Sequence, residues 1–170
     1  MRIKIQLAKK GQASDCLSCV KQSELWDAYF KSNAGAVDDI EKMIGKKQIY
    51  VALDQNDKCI GFMGIIHNGC FRKFSYLSLI AVEWSYRGKG VGKELLEKFE
   101  ETGFKRADRV FLLVSDFNKK AQLFYMKSGY EKVGKIPDLF KKGVSEHILV
   151  KYKNTPGGTF KPIPSEKRRY

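Results

Sequence analysis

A chain of 170 residues, 43% apolar and 30% charged, has the proportions of one folded domain with its own core, which excludes a disordered or fibrous polypeptide. No apolar run approaches the roughly 18 residues that a membrane-spanning helix needs. A net charge of +13 admits nucleic acid, an anionic membrane or an acidic small molecule as partners and does not choose among them, because only Lys167-Arg168-Arg169 forms a concentrated basic cluster.

The start, Met1-Arg2-Ile3-Lys4, leads into a strand pattern over residues 3–7 without the apolar core of a signal peptide, so the expected address is the cytoplasm. A helix is expected to follow, with Ser14 as its N-cap and Leu17, Val20 and Leu25 on its inner side. Cys16 and Cys19 have C-x-x-C spacing, but both fall within the helical pattern. Cys59 and Cys70 sit singly in strand-like surroundings, with no His near the C-x-x-C pair to complete a zinc set, so the thiols read as reduced and structural, with no metal. Trp26, Tyr29 and Phe30 cluster at a helix end before Asn33-Ala34-Gly35. A short helix over 37–44 follows, acidic in its first turn and stopped by Gly45.

Strand patterns over 48–53 and 59–66 flank the turn residues 54–58, and a third, over 75–82, follows a break at Asn68-Gly69, which makes an antiparallel meander. Next come Arg87-Gly88-Lys89-Gly90-Val91-Gly92 and a helix striped with Val91, Leu95, Leu96, Phe99 and Phe104 that weakens at Gly103. A buried strand over 109–114 makes strand–helix–strand, hence a parallel pair with a right-handed crossover. Asn118 caps a helix carrying Ala121, Phe124, Tyr125 and Ser128, which Gly129 ends, and strand patterns over 130–136 and 144–152 close the domain. Residues 154–170 read as a Pro- and Gly-rich basic tail without a core, so the expected domain is 1–153.

A strand that feeds a glycine turn and opens into a helix aims backbone N–H groups at one point, with the helix dipole behind them, and so forms an anion cradle. A dinucleotide fingerprint needs a third glycine where Lys93 stands. A Walker A loop needs Ser or Thr after Gly92-Lys93, where Glu94 stands. The third pattern, Arg or Gln, two residues, Gly, one residue, Gly or Ala, is met by Arg87, Gly90 and Gly92. There, and again at Asn118, Ala121, Phe124-Tyr125, Lys127, Gly129 and Tyr130, the chain resembles the GNAT superfamily of acyl-coenzyme A-dependent N-acetyltransferases, over roughly residues 51–152.

The resemblance implies an α/β (α+β) single-domain fold: a mixed, mostly antiparallel sheet of about seven strands flanked by about four helices, with a splayed parallel pair at strands four and five. It implies acetyl-CoA as co-substrate, held by the amides and basic groups of Arg87, Gly88, Lys89, Gly90, Val91, Gly92 and Lys93, by the strand end Ile80, Ala81 and Val82, and by Asn118. Tyr125 matches the proton donor to the departing thiolate. The strand positions where the family carries a catalytic Glu hold Tyr76, Ser78 and Leu113 here, which leaves Glu83 as the nearest acid for a general base, with His67 or a water chain as alternatives. The expected partner is an amine-bearing acceptor. No membrane partner is expected, nucleic acid and a homodimer stay open, and a non-catalytic acyl-CoA- or nucleic-acid-binding module is the competing reading. Aromatic and acidic residues around Trp26, Tyr29 and Phe30 and in the turn 136–140 suit either reception of a cationic amine or ordinary packing.

Overall fold

The computed structural model describes residues 2–153; the tail expected over 154–170 lies outside them. In chain order the elements are β1 (Lys4–Leu7), α1 (Ala13–Val20), a π-helical turn (Trp26–Phe30), α2 (Ala36–Gly45), β2 (Ile49–Leu53), β3 (Cys59–Cys70), β4 (Phe74–Val82), a 3-10 turn (Trp84–Tyr86), α3 (Val91–Phe104), β5 (Arg109–Ser115), α4 (Lys119–Lys127), β6 (Glu131–Pro137) and β7 (Ser145–Tyr152). The strands form one seven-stranded sheet in the order β1-β2-β3-β4-β5-β7-β6. Every neighbouring pair is antiparallel except β4 and β5.

Alternation along the strands divides the core between two faces. Ile49, Val51 and Leu53 of β2 and Phe62 of β3 pack beneath α1 and α2, against Cys16, Cys19, Val20, Ile40 and Ile44. Ala52, Ile60, Met63 and Ile65 face the other way and meet α3 through Leu95, Leu96 and Phe99, with Tyr125 of α4 in the same cluster. Each such fully buried side chain contributes roughly 1.5–3 kcal/mol relative to exposure, so both helical layers are held firmly to the sheet that carries the site.

Two local expectations are corrected. The first helix begins at Ala13 with Gln12 as N-cap, and Ser14 lies inside its first turn. The Gln12 side chain instead accepts from the Lys9 amide at 2.8 Å, which closes the turn that precedes the helix. The expected break at Asn68-Gly69 is absorbed into β3 as an irregularity: the register passes from Ile66↔Tyr76 directly to Cys70↔Phe74, with Asn68 at φ 58°. Gly103 lies one residue before the end of α3, as expected, and is buried against β5. A β-carbon there would stand 2.4 Å from Val110 Cγ1, so glycine is what lets α3 seat on β5. Gly103→Ala is expected to lower stability by about 1–3 kcal/mol, read as a fall in the denaturation midpoint with an unchanged slope.

The parallel pair positions the site. β4 and β5 share register only at Ser75↔Val110, Tyr76↔Phe111 and Leu77↔Leu112. Beyond Leu77 the strands part. Leu113, Val114 and Ser115 stay paired with Ile148, His147 and Glu146 of β7, while residues 79–82 of β4 stay paired with β3 alone and Ser78 sits at a register shift. The N–H and C=O groups on the far edge of β4 therefore open onto a cleft.

Candidate active site

The cleft has a volume of about 820 Å³ and runs from the glycine loop, along residues 78–82, to the end of β7. At its first end, Gly88 and Gly90 have φ of 74° and 89°, left-handed values that a side chain would strain, and Gly90 is the residue from which α3 starts. No side chain caps α3, and its first backbone bond is Glu94 N–H to Gly90 C=O at 3.1 Å. The amides of Gly88, Lys89, Gly90, Val91, Gly92 and Lys93 donate no hydrogen bond among the described residues. Six free donors at a helix start suit the oxygens of a phosphate group.

The expected cofactor-binding residues separate by role. Ile80, Ala81, Val82, Arg87, Gly88, Gly90, Gly92, Lys93 and Asn118 line the cleft, and Lys120, which the motif reading did not single out, joins them. Lys89 and Val91 do not: the Lys89 ammonium lies 5.4 Å from the centre of the Tyr86 ring, and the Val91 side chain is in the core, so only their backbone faces the turn. The Arg87 guanidinium is already engaged. It donates to the carbonyls of Val82 (2.9 Å), Gln22 (3.1 Å) and Lys21 (3.4 Å) and lies over Trp84, so it braces the loop against β4 and the segment after α1. Asp54 anchors the same loop from the other side. It accepts from the amides of Asn56 and Lys58 and from the Tyr86 hydroxyl, which together hold its carboxyl below the usual carboxylate range.

Asn118 fills both expected positions: its Oδ1 accepts from the Ala121 amide at 3.1 Å as the cap of α4, and the residue borders the cleft. Tyr125, two turns further along α4, also lines the cleft. Its ring packs against Phe124 and Tyr130, it is 5% exposed, and its hydroxyl has no hydrogen-bond partner among the described residues. Burial pushes its phenol well above the ordinary value, so it keeps its proton.

Glu83 is not brought to this cleft. The chain turns sharply after Val82, with the Glu83 amide bonded to Ile60 C=O, and the carboxylate accepts from the Ser85 hydroxyl at 2.5 Å. It lies in a separate surface pocket with Asp15, Lys21, Lys58 and Cys59. His67 is also outside the cleft, its Nδ1 3.0 Å from the Ser75 hydroxyl. Tyr76, Ser78 and Leu113 do line the cleft, so the positions where the resemblance looked for a carboxylate are in place without one.

The carboxylate at the cleft's second end comes from β7. Glu146 is 3% exposed and lines the cleft, and its Oε1 accepts from Ser115 Oγ at 2.8 Å and from the Tyr29 hydroxyl at 2.9 Å. Tyr29 is supplied by the π-helical turn and rests edge-on against Phe140, from the loop between β6 and β7. Burial pushes the Tyr29 phenol up, and burial together with the Glu146 charge pushes Tyr76 up to about 12, so both remain protonated donors. In the sequence Glu146 stands between Ser145 and His147 at the start of a strand pattern, with no spacing that ties it to Tyr29 or Ser115.

The C-x-x-C pair faces a third thiol, with Cys19 Sγ 4.0 Å from Cys59 Sγ, and all four cysteines are free. No cluster of His, Cys, Asp and Glu suited to a metal ion occurs among the described residues, and none of their helices is long and apolar enough to cross a membrane.

A mixed sheet opened between two parallel strands, with an anion cradle at one end of the opening, is an arrangement into which a phosphate-bearing group fits along a strand edge. The chain belongs to the acetyltransferase (GNAT) family, whose model matches residues 20–130. An uncharacterised protein of Mycobacterium leprae is 28% identical over 131 residues, covering 76% of this chain and 35% of that protein, so the chain spans about a third of the length of this curated relative. Among solved structures, a GNAT-family acetyltransferase of Bacillus cereus superposes with a TM-score of 0.73 at 17% identity, over 91% of this chain and 100% of its own. A chain of the NatC complex, solved bound to Gag peptide and CoA, gives 0.69 at 17% identity over the same shares. Both likenesses are likenesses of fold.

Proposed function

We propose that the protein is an acetyl-CoA-dependent N-acetyltransferase that moves an acetyl group to a primary amine of a small molecule, peptide or protein by direct attack on the thioester. The observation that carries this reading is the continuity of the six unbonded amides of residues 88–93 with the edge of β4 over residues 79–82, which no further strand pairs and where Arg87 takes only the Val82 carbonyl, in one cleft. Amides of Gly88, Gly90, Gly92 and Lys93 hold the pyrophosphate, and the Lys93 and Lys120 ammonium groups add positive charge at the rim. The edge of Ile80, Ala81 and Val82 pairs with the amide-bearing pantetheine arm as an added strand would, and orients the thioester. The amine nitrogen attacks the thioester carbon from the far end of the cleft, and the C–S bond breaks as Tyr125 gives its proton to the thiolate. An alkylammonium loses two protons overall: one restores Tyr125 after the phenol has protonated the thiolate, and the other passes to solvent, so the reaction balances.

Release of free thiol from acetyl-CoA, followed across a panel of amines, tests the proposal. Thiol appearing in equal amount with N-acetylated amine is the expected result. Tight coenzyme A binding with no turnover on any amine assigns the chain to the non-catalytic binding modules instead.

A further inference from the structure

A buried carboxylate is ordinarily paired with a cation or satisfied on both oxygens, because removing its charge from water is costly. Glu146 meets neither condition. Among the described residues it forms no ion pair, both donors that reach it, Ser115 Oγ and the Tyr29 hydroxyl, go to Oε1, and Oε2 accepts no hydrogen bond. Tyr29 and Ser115 also lie 3.2 Å apart, oxygen to oxygen, so the three side chains make a closed triangle that fixes the carboxylate.

We propose that Glu146 is the receptor for the acceptor substrate, binding its protonated primary amine through Oε2, and that the substrate carries this cation on a flat or extended apolar body. The proposal rests on the acetyl-transfer reading for the place of the thioester. The cleft wall supplies the second half of the specificity: Tyr29 and Phe140 stand by Glu146, and Leu25, Phe30, Ile40 and Met43 border the same cleft, from the π-helical turn, the residue before it and α2. The Tyr29 and Phe140 rings, 6.5 Å apart at 84°, give an aromatic corner in which a methylene chain or an aryl ring fits beside a cation.

The two ends of the cleft are thus of opposite character. Free amides with Lys93 stand at the end assigned to phosphates, and a carboxylate without an ion-pair partner among the described residues stands at the other. A substrate with a free ammonium is drawn to the second end and repelled from the first. The N–H···Oε2 contact also gives the first proton a path: an N–H bond breaks, an O–H bond forms on Glu146, and the amine lone pair is freed for attack.

The test compares binding of butylamine, hexylamine and 2-phenylethylamine with that of the alcohols of the same skeleton, by titration of the full chain without acetyl-CoA, in the wild type and in E146Q. Glutamine keeps an oxygen for the Tyr29 and Ser115 hydroxyls, so the variant retains the local network, and circular dichroism checks its fold. The wild type is expected to bind the apolar amines about 30-fold more tightly than their alcohols, the size of one charge-assisted hydrogen bond. In E146Q the preference collapses to within about three-fold, with acetyl-CoA binding unchanged. The proposal is overturned if no amine exceeds its alcohol in the wild type, or if E146Q keeps the preference. A Glu146-dependent amine preference in a chain that does not bind acetyl-CoA would uphold the receptor and remove the transferase reading, so the two fail separately.

Discussion

Tyr125→Phe is expected to lower turnover about 100- to 1000-fold while the dissociation constant for acetyl-CoA stays within about two-fold of the wild type. The split between the two quantities follows from what the hydroxyl does in the free protein. It makes no hydrogen bond among the described residues, whereas the ring makes the packing contacts with Phe124 and Tyr130. Phenylalanine keeps the ring, so the helix and the cleft wall survive, and only the proton for the leaving thiolate is lost. Burial holds the phenol above its ordinary value, so it is protonated throughout the neutral and mildly alkaline range and releases its proton only when thiolate charge develops beside it. The rate should therefore not decline between about pH 7 and 10 on account of this group. Unchanged turnover in the variant would take Tyr125 out of the mechanism, and a loss of acetyl-CoA binding equal to the loss of rate would make it a packing residue.

The parts of the site that were legible in the sequence are those specified by local constraints. Gly88 and Gly90 stand where the backbone enters the left-handed region, and Asn118 and Tyr125 lie two helical turns apart on one helix, so spacing alone related them. The strand order around β4 and β5 followed from the strand–helix–strand pattern and from the family likeness. Glu146 was not legible, because its partners come from far along the chain: Ser115 through the pairing of β5 with β7, and Tyr29 through a π-helical turn that a 3.6-residue period does not anticipate. Glu83 was chosen for closeness in sequence to the end of β4. Val82 before it and Tyr86 after it both line the cleft, but the Glu83 carboxylate is held by Ser85 in the separate pocket, and nothing in the residue pattern states which way that one side chain points. Arg87 was recognised by position but not by role, since charge near an anion cradle looks the same whether the guanidinium meets phosphate or, as here, three backbone carbonyls.

Gly92→Asp should separate stability from function in the opposite sense to most substitutions. Gly92 has no positive φ, and a β-carbon there would meet Val82 Cγ2 at 3.6 Å and Phe124 Cζ at 3.8 Å, which are ordinary contacts, so the side chain fits. A carboxylate in the first turn of α3 interacts favourably with the helix dipole, and replacing glycine removes chain entropy from the unfolded state. Together these are expected to raise stability by roughly 0.5–1.5 kcal/mol. The same carboxylate would stand among the free amides and repel a diphosphate, by an amount on the order of 4 kcal/mol for unit charges about 4 Å apart near a protein surface. Affinity for acetyl-CoA should accordingly fall by about 100- to 1000-fold, with the melting temperature unchanged or higher. S-acetylpantetheine, which has the thioester and the arm but no pyrophosphate, isolates the cause. If the amides of residues 88–93 bind phosphate, the variant and the wild type should use this truncated donor equally well, because the part of the cleft it occupies, along Ile80, Ala81 and Val82, is untouched. A penalty of the same size on both donors would mean that residue 92 acts by reshaping β4 or α4 rather than by charge, and the anion cradle would have to be sought elsewhere on the surface.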